Sequence, residues 1–152
     1  MWSSDLKAGF EGEDYVLTSI TGYTAYDWHN IVDVSHLDPV LVAQETNQKF
    51  SQLSQEFRIE SSLGDSFDYF AGAYYQKQEL EQFITVELPG PGAVIRSPAE
   101  QDTTTWAVFA EGTVKLSSQL YTTFGARWGS DRKSASDTLA FNNPAFEGLF
   151  GA

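Results

Sequence analysis

Apolar and polar residues alternate with a period of two along most of the chain, the signature of strands with one covered face. The clearest stretch is Trp106–Leu116. Trp106, Val108, Ala110, Gly112, Val114 and Leu116 take one face, and Ala107, Phe109, Glu111, Thr113 and Lys115 take the other. After Ser117-Ser118-Gln119 the pattern resumes with Leu120, Thr122, Phe124, Ala126 and Trp128 against Tyr121, Thr123, Gly125, Arg127 and Gly129. A three-residue connection conserves parity, so the two apolar rows share a side of the sheet. An upstream hairpin sets Leu53, Gln55, Phe57 and Ile59 against Ser54, Glu56, Arg58 and Glu60. Its return strand sets Phe67, Tyr69, Ala71, Ala73 and Tyr75 against Asp68, Phe70, Gly72 and Tyr74. Its turn is expected at Leu63-Gly64-Asp65. In a first hairpin, Trp2, Leu6, Ala8 and Phe10 alternate with Ser3, Asp5, Lys7 and Gly9, turning near Glu11-Gly12-Glu13-Asp14. The following stretch, residues 15–28, is apolar or small on both sides, and its faces stay unassigned.

Three hairpins, at about residues 2–28, 49–82 and 103–133, are thus predicted, separated by long connections at about 29–48, 83–102 and 134–152. The second connection holds the breakers Pro89-Gly90-Pro91-Gly92. Structureless stretches of that length are uncommon inside compact domains. Short turns alternating with long loops are the habit of outer-membrane barrels. Trp106 and Trp128 also stand at matching heights, about 9–11 residues from the turn between them, the length of a membrane-crossing strand. A soluble β-sandwich shows the same alternation; the loops and the matched tryptophans favour the membrane. The fold class expected is therefore all-β: an open antiparallel meander of about six strands, part of a transmembrane β-barrel. Six strands leave two edges that lipid does not tolerate. The chain is accordingly expected to be a fragment of a larger barrel.

Register follows from the turns. Centring one on Ser118 sets Val108 opposite Trp128, Phe109 opposite Arg127, Ala110 opposite Ala126 and Glu111 opposite Gly125. Centring the other on Gly64 sets Arg58 opposite Phe70 and Phe57 opposite Ala71. Each arginine is then expected over a phenylalanine ring, with Glu111 one diagonal step from Arg127.

Charge narrows the function classes. The 152 residues carry a formal net charge of −12, which argues against a nucleic-acid partner and against a polybasic membrane-surface helix. There are no cysteines, so disulfides and thiol chemistry are excluded. No apolar run reaches the roughly 18 residues of a membrane helix. A mean hydropathy of −0.30 fits a strand-built membrane protein as well as a soluble one. The start of the chain shows no signal peptide.

Site chemistry is sparse. His29, Asp33 and His36, with Asp27 and Asp38, are candidate metal ligands in the first long connection. Their spacing matches no motif, and an acidic solvated loop accounts for them. Glu79, Glu81 and Glu87 repeat that theme. Ser117 has no histidine partner nearby, and Glu56, Arg58 and Glu60 neutralise one another on one face. No enzyme and no cofactor are expected.

Five segments, in order, resemble one family. Phe50-Ser51-Gln52-Leu53-Ser54-Gln55-Glu56-Phe57-Arg58-Ile59-Glu60-Ser61 resembles the Phe-Ser-Gln-Glu-Leu-Arg-Leu-x-Ser strand of TonB-dependent receptors. Phe67-Asp68-Tyr69-Phe70-Ala71-Gly72-Ala73-Tyr74-Tyr75 resembles the strand that follows it. Leu17-Thr18-Ser19-Ile20-Thr21-Gly22-Tyr23 is similar to a preceding one. Trp106-Ala107-Val108-Phe109-Ala110-Glu111 and Thr123-Phe124-Gly125-Ala126-Arg127-Trp128 resemble the next pair. The likeness runs from about Leu17 to Arg132. The family's plug domain and TonB-contacting N-terminal segment are missing, as is a closing strand with a terminal aromatic. The resemblance implies an outer-membrane receptor taking up a scarce ligand, such as an iron–siderophore complex. Its partners would be lipid, the rest of the barrel and plug, and TonB through the missing region. On this reading Glu56, Arg58, Phe109, Glu111 and Arg127 face the lumen. Phe57, Ile59, Trp106, Val108, Val114, Phe124 and Trp128 face lipid. The alternatives are a soluble or surface β-sheet binding module, and a small structural barrel closed by oligomerisation.

Overall fold

The computed structural model describes residues 1–35, 42–63, 66–88 and 93–142. They form one antiparallel sheet of β1 (Trp2–Glu11), β2 (Tyr15–Asp33), β3 (Ala43–Leu63), β4 (Phe67–Leu88), β5 (Ala93–Lys115), β6 (Tyr121–Asp137) and β7 (Ala140–Asn142). The strands lie side by side in chain order from β1 to β6, with β7 also paired to β5. This is the expected open meander. The described residues form no second layer. Among them Ala93, Ala107, Gly112 and Thr46 are buried, and no large side chain is fully buried.

β7 is β6 resumed. Both pair with β5 in one unbroken register, Ala99 with Asp137 and Arg96 with Ala140. The interruption lies opposite Pro98, whose carbonyl accepts a hydrogen bond from Thr138 N at 3.1 Å. Carbonyl and nitrogen of one strand residue point to the same neighbour, so the donor that proline lacks is the one Thr138 would have used. The β4 side of the ladder keeps its pairing, Phe83 with Pro98.

The β5–β6 turn follows the sequence reading. Leu116 N donates to Leu120 O at 2.8 Å, which leaves Ser117, Ser118 and Gln119 as the turn. Val108 pairs with Trp128, Phe109 with Arg127, Ala110 with Ala126 and Glu111 with Gly125. The β1–β2 turn closes with Gly12 N donating to Tyr15 O at 2.8 Å. All three short turns leave from one end of the sheet. The β2–β3 and β4–β5 connections leave from the other, where Asp33 pairs with Ala43 and Leu88 with Ala93.

The β3–β4 register differs from the expectation. Leu63 pairs with Phe67, which centres the turn on position 65, one residue later than expected. Arg58 therefore lies opposite Gly72, and Phe57 opposite Ala73. Moving the centre by one residue moves the register by two, which leaves every side chain on its original face. Alternation therefore cannot detect the difference. Gly64 and Asp65 themselves lie outside the described residues.

The strands are also longer than expected. β2 has 19 residues, β3 21, β4 22 and β5 23. Residues 29–33 and 43–48, read as loop, continue the β2–β3 ladder, and residues 83–88 and 93–102 continue β4–β5. Polar side chains such as Gln48, Thr85 and Gln101 disguise these extensions, because backbone pairing needs no apolar residue. The breakers at 89–92 and His36 lie outside the described residues.

Gly72 is one place where the sheet has no room for a side chain. A Cβ there would stand 2.5 Å from Phe109 Cζ and 2.6 Å from Phe57 O. At Gly125 nothing would come nearer than 3.4 Å. Gly72→Ala is expected to destabilise the barrel containing this chain by about 1–3 kcal/mol through overpacking. Gly125→Ala should stay within about 0.5 kcal/mol. Urea unfolding followed by heat-modifiable migration checks both.

Candidate functional site

Register sorts the side chains into two faces. Directly opposed residues share a face, so Phe57, Ala73, Val108 and Trp128 form one row, and Ile59, Ala71, Ala110 and Ala126 the next. Trp106, Val114 and Phe124 join them. This face also takes Tyr15, Leu17 and Tyr23, which settles β2, whose sequence left its faces open. The opposite face carries Glu56, Arg58, Phe109, Glu111 and Arg127. Register thus places these two groups of residues on opposite faces of the sheet. Along β4 the even-numbered residues from Tyr74 to Gln82 are half-buried and the odd-numbered ones from Ala73 to Glu81 exposed, as in a sheet curled toward the second face.

The apolar face is a band with two aromatic borders. Near the short turns, Phe67 lies 6.0 Å from Tyr69 and 6.5 Å from Phe124, and Phe10 lies 6.2 Å from Tyr15. A Cβ on Gly112 would meet the Phe67 and Phe124 rings at 2.9 and 3.0 Å, so the two rings close over it. At the far border Trp106 meets Trp128 edge-on at 5.0 Å, and Trp2 meets Tyr23 at 5.3 Å. Within the band, Ser19, Thr21 and Gln55 satisfy one another: Thr21 Oγ1 donates to Gln55 Oε1 at 2.6 Å, and Gln55 Nε2 donates to Ser19 Oγ at 3.0 Å. Beyond Tyr75 the same face turns charged, with Lys77 paired to Glu79.

The far border climbs across the sheet. Following the paired residues to β6, the Tyr23 row arrives at Arg132, four residues past Trp128, after four strand-to-strand steps. The Trp2 row arrives at Ser134, six residues past Trp128, after five steps. With the usual residue rise and strand spacing, a level border therefore requires strands inclined by about 35–40°, within the tilt of membrane barrels.

The polar face holds a shallow depression of about 730 Å³ lined by Glu56, Arg58, Phe70, Phe109, Glu111 and Arg127, among others. Its contacts differ from the expected ones. Arg58 pairs with Glu56, two residues back on its own strand, rather than with a ring. Phe109 leans over Gly72 and meets Phe70 at 5.7 Å. Arg127 lies across from Phe109, but no ring–cation contact or ion pair joins Arg127 to Phe109 or Glu111 among the described residues. The vacant space over Gly72 draws the ring away from β6, which the sequence could not show without the register. Lys115 reaches Asp68 at 2.9 Å, a cross-strand pair that the sequence reading missed.

Of the candidate metal ligands, Asp27, His29 and Asp33 are described, and His36 and Asp38 lie outside the described residues. His29 Nε2 lies 3.1 Å from Glu45 Oε1, and Asp33 Oδ1 accepts hydrogen bonds from Ser35 N and Oγ. Among the described residues no three His, Cys, Asp or Glu side chains group to hold a metal. Glu45 instead anchors a small polar cluster, and its carboxyl is held below the usual range, first by the Asn47 side-chain amide and then by His29.

The barrel-family description "TonB dependent receptor-like, beta-barrel" matches residues 2–149. The chain belongs to the TonB-dependent receptor β-barrel family. Members of this family are outer-membrane receptors and transporters, not enzymes. The ferric yersiniabactin uptake receptor FyuA from Yersinia pestis shares the fold, with a TM-score of 0.70 and 16% identity. The match covers 91% of this chain and 24% of FyuA, so the chain spans about a quarter of that receptor. No curated protein matches the sequence.

A lowered carboxyl pKa means that the Glu45 contacts persist above it and are lost as pH falls through it. A carbon-13 NMR titration of Glu45 should show its midpoint below that of an ordinary glutamate. Asn47→Ala should raise that midpoint more than His29→Ala does; the reverse order would assign the effect to the imidazole.

Proposed function

We propose that this chain is a section of the wall of an outer-membrane receptor that takes up a scarce ligand, such as an iron–siderophore complex, with energy delivered by TonB. The single observation that carries the reading is the apolar band. Phe57, Phe124 and Trp128 are 57%, 59% and 70% exposed on a sheet with no second layer. Water is a poor neighbour for such a surface, and an apolar patch of that extent marks an interface. Lipid fits its shape: Tyr15 to Tyr23 and Phe67 to Tyr75 each span nine residues, aromatics border both sides, and the tilt is that of a barrel. Phe57, Ile59, Trp106, Val108, Val114, Phe124 and Trp128 then face lipid, and Glu56, Arg58, Phe109, Glu111 and Arg127 face the lumen.

The outer edges of β1 and β6 carry unpaired backbone groups, which lipid does not tolerate. Further strands close the wall, and a plug fills the lumen. The long connections leave from the end beyond the Trp2–Tyr23 and Trp106–Trp128 border, which is the outside. The name of FyuA supports a siderophore as the ligand type.

Lipid contact has a depth-dependent signature. Ala110→Arg, mid-band, should cost about 2–4 kcal/mol, whereas Thr104→Arg, on the same face above the border, should cost about 0–1 kcal/mol. Equal costs would remove the membrane from the account. Transport is tested in cells whose iron uptake depends on the receptor containing this chain. Radio-iron supplied as ferric siderophore should accumulate only when TonB is present. Accumulation unaffected by loss of TonB would refute the proposed uptake.

A further inference from the structure

Above the apolar band the two faces of the sheet exchange character. From the row Tyr26–Phe50–Leu80 up to the row Val32–Gln44–Val86, the half-covered face carries Asp137 as its one formal charge among the described residues. The other face of the same stretch carries Asp27, Glu45, Lys49, Glu81, Arg96 and Glu100. Apart from Asp137, the charges point away from the barrel interior, and the uncharged groups point toward it.

Those uncharged groups include rings and amides, set among aliphatic residues such as Leu80, Ile84 and Val86. Tyr26 and Phe50 stack face to face, with ring centroids 4.9 Å apart and planes inclined by 17°. Gln48 Nε2 donates to Tyr26 Oη at 2.9 Å and so fixes the phenol's orientation. Gln82 lies directly opposite Gln48, with Trp28 on Gln48's other side. Gln82 and Gln101 engage their side-chain amides with no described residue. The wall thus holds donors and acceptors beside a ring stack and aliphatic side chains.

We propose that this upper inner wall binds an uncharged ligand with a flat apolar face and several hydroxyl or carbonyl groups, of the kind an aryl glycoside presents. The flat face lies against the free side of the Tyr26–Phe50 ring stack, and the polar rim meets the amides of Gln48 and Gln82. An anionic ligand would lose its hydration here and find no cationic side chain on this face of the stretch among the described residues. Few polar groups placed among rings is the usual composition of a small-molecule site. The inference rests on the receptor reading and narrows its ligand.

The test uses the intact receptor containing this chain, purified in detergent, with two probes matched in size. Para-nitrophenyl β-glucoside is neutral, and para-nitrophenyl β-glucuronide carries a carboxylate. Calorimetry should show the glucoside binding at least about tenfold tighter. Tyr26→Ala and Phe50→Ala should each weaken it by about tenfold, and Phe50→Trp should retain it. Heat-modifiable migration verifies that each variant is folded. Equal or tighter binding of the glucuronide overturns the inference, as does binding of neither probe in the millimolar range. Unchanged affinity in both alanine variants also overturns it and gives the wall to another part of the barrel's own chain. A receptor that sits in the outer membrane as a folded barrel yet fails these tests loses only the ligand class. One absent from that membrane loses the receptor reading as well.

Discussion

The backbone ladder between neighbouring strands is the constraint on which the rest of this structure depends. A sheet lying in lipid has no water to satisfy a stray N–H or C=O, so each must meet a neighbouring strand. This explains the placing of Pro98. Its missing donor points toward β6, where the ladder is interrupted briefly at Thr138 and Leu139, and leaves the β4 side intact. It explains why Ser19, Thr21 and Gln55, polar groups on the apolar face, bond to one another. It also makes the chain dependent on strands beyond β1 and β6.

Once the ladder fixes register, it fixes faces, and faces divide the labour. Near the short turns, one side of β4 carries Phe67, Tyr69 and Tyr75, and the other carries Phe70 and Tyr74 beside Glu56, Arg58 and Glu111. Farther along, the same strand reverses: Glu79 and Glu81 point outward and Leu80 and Gln82 inward. A single strand therefore crosses two environments without a bend. The border at Tyr75 and Trp106 marks the change, where rings with one wet and one apolar side are at home.

The fold was largely legible in the sequence because its period is two and its turns are short. Parity alone placed Arg127 and Trp128 on opposite faces, and the three-residue turn at Ser118 gave the register of that hairpin. The β3–β4 register escaped because a slip of two preserves parity, and Arg58 found Glu56 in place of a ring. The upper strands escaped because Gln, Thr and Glu read as loop, although the pairing of Thr46 with Ile84 is as regular as any below it. The uncharged wall was hidden for the same reason. Tyr26, Phe50 and Gln82 are far apart in sequence and become neighbours only through the ladder.

Spin labels placed singly along β5 test the central claim most directly, and these 152 residues contribute no native cysteine to compete for the label. The measurement is relaxation by oxygen, which favours lipid, against relaxation by a water-soluble nickel complex. At positions 106, 108, 110 and 114 oxygen should dominate, at 109, 111 and 113 nickel, and at 100, 102 and 104, on the same face as the first set, nickel again. Oxygen dominance continuing unchanged past Trp106, or no alternation between the two sets, would contradict a wall whose outer face leaves the membrane at that tryptophan.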